Sequence, residues 1–379
     1  MPTIIYPRAL PWNWMVQRPQ QLMKELATLG YTVFYEEPGS FSRSQVQKVA
    51  DSLYLCRGIS PLSLEHSRPR ILWLNFPQHY SFVEDYRPDL VVYDCADEAK
   101  EEFSSWGPYI KPLLAKSHLV FASAQSLYEQ LAKEHPQVTL LPNGVDFFHF
   151  AHPRKPPLDL PEGKILVGYS GAIAPWLDWE LLEKVIAQHP QVHFIFIGAL
   201  VMLKNFPLQG PNVTYLGHKP YEVLPSYIQQ FSVGLIPFKL TSMTQGCNPI
   251  KLYEYAAAGV PILGTNLPEL EKVQNSLKEK ENPPFPIENA LSLANGPKEF
   301  STQLRELLKQ ARAKEKDLEE KNLEEDQQNE NNCLDPVKDL LQDFAFNNTW
   351  QKRTLVIHSI LSNYQLSRST SVTLRRNFE

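Results

Sequence analysis

Short runs of apolar, mostly β-branched residues alternate with helix-forming segments along most of the chain. Continuous apolar runs between helices are typical of parallel strands that are buried on both faces of a sheet. The pattern predicts seven strands in the first half and five in the second, at 4–6, 33–35, 53–55, 71–74, 90–93, 119–122 and 139–141, then at 165–169, 193–197, 213–216, 234–237 and 261–263. Because the alternation occurs twice, we expect an α/β protein with two Rossmann-like, doubly wound domains that face each other across a cleft.

A segment rich in residues that break helices and strands separates the two halves. Residues 151–164 read AHPRKPPLDLPEGK, a composition typical of a linker. We therefore expect an N-terminal domain over residues 1–155 and a C-terminal domain over residues 156–345. Residues 346–365 regain helical amphipathicity and predict a separate packing helix, and residues 366–379 are expected to form a loose tail.

A charged, low-complexity insert lies within the second half, at about residues 309–332. It contains five basic and eight acidic residues and almost no apolar side chains. Such a composition cannot support a core, so we expect a solvated helix extension that frays into disorder. A regulatory or partner-binding role is the alternative.

Net charge and cysteine usage limit the possible function classes. The net charge of −5 argues against a general nucleic-acid-binding protein, which needs a basic face. Four scattered cysteines without a CxxC pair are typical of a reducing cytoplasm. No apolar run approaches the roughly 18 residues of a spanning helix, so we expect neither a transmembrane segment nor a signal peptide. The ten histidines show no paired spacing, and we predict no metal site.

The segment CNPIKLYEYAAAGVPILGT, residues 247–265, predicts one helix that leads directly into a strand. Asn248 is a favourable N-cap, Pro249 suits the first helical position, and Gly259 can end the helix in the left-handed conformation. Lys251 then lies in the first turn, where the positive end of the helix dipole disfavours a cation. The sequence therefore indicates that an anion binds at this helix start.

Two loops that follow strands of the second half are candidates for ligand binding. Gly171 follows the strand at 165–169 and would let a ligand approach backbone N–H groups, although a tight turn also explains it. His218 and Lys219 follow the predicted strand at 213–216. Lys219 could contact a phosphate and Tyr221 could stack on a base, or this loop could be an ordinary surface loop. No full GxGxxG motif occurs, which disfavours a dinucleotide-dependent dehydrogenase.

Acidic residues cluster where the predicted strand at 90–93 ends. Asp94, Asp97 and Glu98 lie near the start of a helix, where capping and the helix dipole alone can explain them. The alternative is that Asp94 or Asp97 faces the cleft and accepts a proton from a hydroxyl group.

The loop after the first strand carries tryptophans and a cation. Trp12 and Trp14 could stack on sugar rings at the acceptor side of a cleft, or they could belong to the core. Arg18, which we assign to the acceptor side with them, begins a helix and so repeats the unfavourable placement of a cation at the positive pole.

These residues resemble glycosyltransferases of the two-domain GT-B type, within the group 1 set that includes teichuronic-acid and exopolysaccharide biosynthesis enzymes. The resemblance covers roughly residues 1–275 and 346–364. It rests most on the helix NPIKLYEY before Gly-Val-Pro and more weakly on four short motifs: NGVD at 143–146, RPQ at 18–20, YD at 93–94 and WQKR at 350–353. One departure is Gly246, because many relatives have a second glutamate at that position.

The resemblance implies a role for several of these residues. The glutamate of the helix, here Glu254, would accept hydrogen bonds from the ribose hydroxyls of a donor, and Lys251 would oppose the charge of its diphosphate. Gly171, Asn248, His218, Lys219 and Tyr221 would complete the donor site, with the acceptor bound by the N-terminal domain. The helix at 346–365 would pack back on that domain.

The expected activity is transfer of a sugar from a UDP- or GDP-linked donor to a hydroxyl of a glycan or a lipid-linked acceptor, without a metal or other cofactor. Lys251 and either Asp97 or Asp94 are the candidate catalytic residues, and the resemblance favours retention of anomeric configuration. The expected location is the cytoplasm, with contact at the inner face of the membrane. A nucleotide-sugar epimerase of the same fold and a non-catalytic nucleotide- or sugar-binding protein are the alternatives.

Overall fold

The computed structural model describes residues 2–162, 165–279, 285–324 and 335–376, and it describes no side chains for 314–324 and 365–376. Two largely parallel sheets with helices packed on them confirm the predicted α/β class. Among the helices in these ranges, none is long and apolar enough to cross a membrane.

The first sheet has eight strands in the order β3-β4-β2-β1-β5-β6-β7-β8. All neighbours pair in parallel except β3, which is antiparallel to β4 at the edge. The sequence pattern missed β3 because every residue of this polar strand is exposed, so no buried face produces an apolar run. The strands are β1 (Thr3–Tyr6), β2 (Thr32–Glu36), β3 (Gln45–Ala50), β4 (Leu53–Arg57), β5 (Arg70–Leu74), β6 (Leu90–Cys95), β7 (Leu119–Ala122) and β8 (Val138–Leu140).

The second sheet has six parallel strands in the order β11-β10-β9-β12-β13-β14. The strands at Leu166–Ser170, His193–Ile197 and Val233–Ile236 are buried on both faces, as continuous apolar runs predict, whereas the edge strand at Val213–Tyr215 is half-buried. The strands are β9 (Leu166–Ser170), β10 (His193–Ile197), β11 (Val213–Tyr215), β12 (Val233–Ile236), β13 (Ile262–Thr265) and β14 (Leu291–Ala294), of which the sequence missed β14.

Helices connect the strands and cover the sheets. The α-helices are α1 (Arg18–Thr28), α2 (Val83–Tyr86), α3 (Gly107–Lys116), α4 (Gln125–Leu131), α5 (Phe147–Ala151), α6 (Trp179–Gln188), α7 (Leu224–Ile228), α8 (Ser242–Gln245), α9 (Ile250–Ala258), α10 (Pro268–Glu279), α11 (Gly296–Glu324), α12 (Pro336–Phe346) and α13 (Trp350–Arg376). Short 3₁₀ turns lie at Pro61–Ser63, Pro77–Phe82, Glu101–Trp106, Tyr221–Val223 and Ile287–Asn289.

Each sheet reverses its direction of winding at its first strand. β1 lies between β2 and β5, and β9 lies between β10 and β12, so the connections leave these two strands on opposite sides. Ligands of doubly wound proteins bind in the crevice at the carboxyl ends of strands at such a point. The loops that follow β1 and β9 therefore mark where a site is expected.

The last helix returns to the first sheet. Trp350, Ile357 and Leu361 of α13 are buried in the same core cluster as Ile4 and Tyr6 of β1. The helix extends to Arg376, well past the predicted segment 346–365 and into the predicted loose tail. Each residue added to an existing helix gains a backbone hydrogen bond, so a helix can continue where the apolar pattern ends.

The charged insert begins on a helix that is anchored in the second core. Leu304, Leu307 and Leu308 of α11 are buried there, and the helix continues into the insert as far as Glu324. The rest of the predicted insert, 325–332, lies outside the described residues.

Candidate functional site

A cavity of about 370 Å³ lies between the two sheets, at the ends of β1, β6 and β9. Its size falls in the range of small-molecule sites. Both domains contribute to its wall. Of the residues predicted from the sequence, the wall includes Trp14, Arg18, Asp97, Gly171, His218, Lys219, Tyr221, Asn248, Lys251 and Glu254, whereas Trp12 and Asp94 lie elsewhere.

Helix α9 brings Lys251 and Glu254 to the cavity. The helix starts at Ile250 and ends at Gly259, which has the left-handed backbone expected of it (φ 72°). The spacing of three residues puts the two charged side chains on one side of the helix. The cavity therefore receives a cation from the first turn and a carboxylate from the second.

Lys251 extends across the first turn of its helix toward the loop after β9. Its Nζ lies 5.3 Å from the ring centre of Tyr169 and 5.6 Å from that of Phe238. Its stem passes so close to Gly171 (φ 147°) that a Cβ at that position would overlap it. Among the described residues, no carboxylate oxygen lies within 4.0 Å of Nζ, so this cation is available to a ligand. Burial lowers the pKa of Lys251, and the nearby Glu254 opposes that shift.

Glu254 is a buried carboxylate, 9% exposed, at the inner wall of the cavity. Burial raises its pKa to about 7, against the opposite influence of Lys251. No hydrogen bond to its carboxylate is found within the described part of the chain. A carboxylate with free acceptor positions at the wall of a cavity is suited to bind hydroxyl groups.

Asp97 faces the cavity from the first domain. Burial raises its pKa to about 6, while Arg18 and Lys251 pull it down. In the described ranges its carboxylate accepts no hydrogen bond; only its backbone carbonyl does, from Cys95 Sγ. A cavity carboxylate whose pKa is raised and which accepts no hydrogen bond among the described residues is a candidate for a general base.

Asp94 corrects one of the sequence predictions. It is fully buried, and its oxygens accept from Arg18 Nε and Nη2 at 2.7–3.0 Å, from Trp73 Nε1 at 3.2 Å and from Asn75 Nδ2 at 3.0 Å. These bonds occupy the carboxylate, so Asp94 has no role as a base that faces the cleft. Asp97, three residues later, is the remaining candidate.

Arg18 also differs from its prediction as an acceptor-side cation. Besides its two-pronged contact with Asp94, its Nη1 donates to Leu141 O at 2.9 Å and to Asn143 Oδ1 at 3.1 Å. Only 2% of Arg18 is exposed. The cation at the start of α1 is therefore neutralised inside the protein, unlike Lys251.

Asn248 joins the two domains rather than capping α9, whose N-cap is Pro249. Its Oδ1 accepts from the backbone N–H of Asn143 at 2.9 Å, and its Nδ2 donates to Glu269 Oε2 at 2.8 Å. The other oxygen of Glu269 accepts from the backbone N–H of Gln125 at 2.8 Å. These hydrogen bonds, which are largely buried, connect the first domain to the second beside the cavity. Nothing in the local sequence of Glu269 indicates this role.

The loop after β11 is partly committed to internal contacts. Lys219 Nζ pairs with Asp159 at 2.7 Å, so its charge is already compensated. The ring of Tyr221 stacks on His149 with centroids 4.5 Å apart, which occupies one of its faces. His218 lines the cavity beside them. Among the described residues, Lys251 is therefore the lysine of the second domain that lines this wall without an ion pair.

The two predicted tryptophans have different surroundings. Trp12 packs edge-on against Tyr35, with centroids 5.0 Å apart, beside the core of the first domain. Trp14 lines the cavity and precedes Met15, whose φ of 42° is unusual for a residue other than glycine. The acceptor-side prediction thus corresponds to a cavity position for Trp14 and to a packing position for Trp12.

Gly246 lies where the two domains touch. A Cβ built there would be 2.9 Å from the Cβ of Glu98 of the first domain. A larger side chain at position 246 would therefore require Glu98 or the two domains to shift. Among the described residues, no group of three or more His, Cys, Asp or Glu side chains is arranged to hold a metal ion.

Comparison with known proteins identifies the fold and gives a family match over part of the second half. The family described as "Glycosyl transferases group 1" matches residues 167–310. Sucrose-phosphate synthase from Thermosynechococcus elongatus superposes with a TM-score of 0.69 at 14% identity, over 97% of this chain and 100% of that one. Anabaena HepE in complex with UDP-glucose gives a TM-score of 0.61 at 12% identity, over 95% and 99%.

The chain therefore has the GT-B fold, as the resemblance implied, and its residues 167–310 match the group 1 glycosyltransferase family. Among curated proteins it is similar to TuaH of Bacillus subtilis (strain 168), provisionally named a teichuronic acid biosynthesis glycosyltransferase. The two are 26% identical over 226 residues, which is 54% of this chain and 57% of TuaH.

Proposed function

We propose that this protein transfers a sugar from a nucleoside diphosphate sugar to a hydroxyl group of an acceptor, in polysaccharide or cell-surface glycan biosynthesis. The similarity to TuaH and the group 1 domain support the reaction class. The observation that carries the proposal is a set of three groups, Lys251, Glu254 and Asp97, that line one cavity. Among the described residues, the ammonium of Lys251 has no ion pair and the two carboxylates accept no hydrogen bond. Unpaired charges at a buried wall are costly unless a ligand uses them.

Each group has a distinct role in this proposal. Glu254 accepts hydrogen bonds from the ribose hydroxyls of the donor. Lys251 and the backbone beside Gly171 bind the diphosphate, where the start of α9 adds the favourable end of its dipole. Because negative charge on the diphosphate grows as the sugar leaves, Lys251 stabilises the transition state more than the bound donor. No metal is needed for this stabilisation, and the donor is UDP- or GDP-linked.

The role of Asp97 depends on the stereochemistry of the transfer. We favour retention of the anomeric configuration, following the family resemblance, with Asp97 binding a hydroxyl of the transferred sugar or of the acceptor. If the product is inverted, Asp97 is the base that removes the acceptor proton, and the rate then falls as pH drops below about 6, the pKa of this group.

The test is incubation of the full chain with labelled UDP- and GDP-sugars, with and without EDTA. Release of nucleoside diphosphate, by hydrolysis or by transfer, supports the proposal, and equal rates with EDTA support metal independence. Isomerised nucleotide sugar would mean an epimerase, and tight binding without turnover would mean a binding protein. Glu254→Ala and Lys251→Gln should lose turnover, whereas Lys272→Gln, on the exposed face of α10, should not.

The site of action is proposed from the same resemblance. We expect the protein in the cytoplasm, meeting a glycan or lipid-linked acceptor at the inner face of the membrane. Fractionation of cells that express the full chain, with and without a high-salt wash, measures both parts of this expectation.

A further inference from the structure

Four large aromatic side chains form a continuous row along one wall of the cavity. Phe76 contacts Trp106 edge-on at 5.5 Å between ring centres, Trp106 stacks on Phe103 at 4.5 Å, and Phe103 meets Trp176 at 5.8 Å. We call these four residues the aromatic row. The first three come from loops after β5 and β6, and Trp176 comes from the loop after β9, so the row crosses from one domain to the other.

The aromatic row is only partly buried, although its rings are the kind that folding usually hides. All four side chains line the cavity. In the described part of the chain, no lysine or arginine lies over any of the four rings, and the indole N–H groups of Trp106 and Trp176 donate no hydrogen bond. The exposed area is therefore mostly apolar, with two unused donors.

Neighbouring cavity residues extend this apolar wall. Met15 and Val16 from the loop after β1, Val201 after β10 and Met243 of α8 line the same cavity. The four rings themselves offer two indole donors and no acceptor to a sugar, which has a hydroxyl on almost every carbon. Asn13, Gln17 and Asn75 also line the cavity. Buried hydroxyls without partners cost free energy, whereas a hydrocarbon chain gains by leaving water.

We infer that the aromatic row binds an apolar portion of the acceptor, an alkyl or isoprenoid chain carried next to the reacting hydroxyl. The inference rests on the proposed function, because it assigns the row to the acceptor. Lys251 and Glu254 fit the charged donor and leave the aromatic row to the other substrate. The row continues from these donor groups along one cavity, so the apolar group lies beside the reacting end of the acceptor.

Binding of octyl β-glucoside, kept below its micelle-forming concentration, is compared with binding of methyl β-glucoside in the presence of UDP. These probes share one sugar and differ only in chain length. We expect octyl β-glucoside to bind at least about tenfold more tightly, since two buried methylenes alone supply that factor. Phe103→Ala and Trp106→Ala should reduce the advantage to less than about threefold, and Trp106→Phe should keep part of it.

Phe346→Ala is the matched control, because Phe346 is an exposed aromatic residue outside the cavity and its loss should leave the advantage unchanged. Equal binding of the two glucosides, or an advantage that survives both row substitutions in folded protein, would overturn the inference. Donor hydrolysis is measured on the same proteins. If the protein consumes nucleotide sugar but binds the two glucosides equally, only the inference is overturned. If octyl β-glucoside binds more tightly and the row substitutions abolish this preference, but the protein consumes no nucleotide sugar, the proposed function is overturned.

Discussion

Replacement of Lys251 by glutamine tests the donor site most directly. In the free protein the effects on stability oppose one another. Removing the cation stabilises the folded protein by about 0.3–1 kcal/mol, because its unfavourable interaction with the helix dipole is lost. It also removes the cost of burying a charge, which is seen in the lowered pKa of Lys251. It also removes contacts with the rings of Tyr169 and Phe238, at 5.3 and 5.6 Å, which contribute about 0.5–1 kcal/mol each at partly exposed sites. We expect the free energy of unfolding to change by less than about 1 kcal/mol.

The effect on the bound diphosphate should be much larger. Lys251 has no carboxylate partner among the described residues, so a diphosphate would receive its full charge. Loss of one charge-assisted hydrogen bond costs about 1.5–3 kcal/mol, or about 10- to 150-fold in affinity. UDP or GDP should bind correspondingly less well to Lys251→Gln, while uridine or guanosine should bind as before. Turnover should fall further still, because charge on the leaving group grows toward the transition state.

The assay is calorimetric titration of nucleoside and nucleoside diphosphate, with turnover and melting temperature on the same protein samples. Lys251→Arg should recover only part of the activity, since a guanidinium fork replaces a point charge poorly in a close site. Lys272→Gln, an exposed lysine of α10, is the control for the lost charge. Equal losses of affinity for nucleoside and for nucleoside diphosphate would refute a contact between Lys251 and the diphosphate. A variant that melts much lower but turns over normally would make Lys251 a structural residue.

Four further predictions follow from buried groups and from the insert. Glu254→Ala should weaken nucleoside binding by about 1–3 kcal/mol in titrations, as expected for losing hydrogen bonds to a charged group. The pKa of Glu254 rises to about 7 on folding, so its contribution to stability is present below its unfolded pKa and is lost as pH rises through 7. In urea unfolding, Glu254→Gln should therefore be more stable than wild type at pH 8 but not at pH 4. Arg18→Met should destabilise the protein by about 3–5 kcal/mol by leaving Asp94 buried and unpaired, and adding Asp94→Asn should restore most of the loss in thermal unfolding; a small single effect would reopen the role of Asp94. Replacing 314–332 by a Gly/Ser linker of equal length should leave donor turnover within a few-fold, and complete loss in folded protein would make the insert functional.

The sequence predicted those strands whose buried residues follow one another directly along the chain. Continuous apolar runs revealed twelve strands, because a strand buried on both faces has no polar face to interrupt it. It missed β3, whose residues are all exposed, and β14, a strand of four residues that contains a serine. Helix starts were misjudged where a polar residue had a distant partner. Asn248 is a good N-cap by type, but its side chain bonds to Asn143, Glu269 and the hydroxyl of Tyr253 instead of capping α9.

Two cations at helix starts show why the site could be predicted only in part. Arg18 and Lys251 are both disfavoured by the dipole of their own helix, and for Lys251 the sequence indicated a compensating anion. For Arg18 the compensating anion is Asp94, which lies 76 residues away and is fully buried. For Lys251 no such partner occurs among the described residues, and its side chain lines a cavity with Glu254. An unfavourable local charge therefore predicts that an opposite charge exists, but only the packing of distant strands decides whether the protein or a ligand provides it.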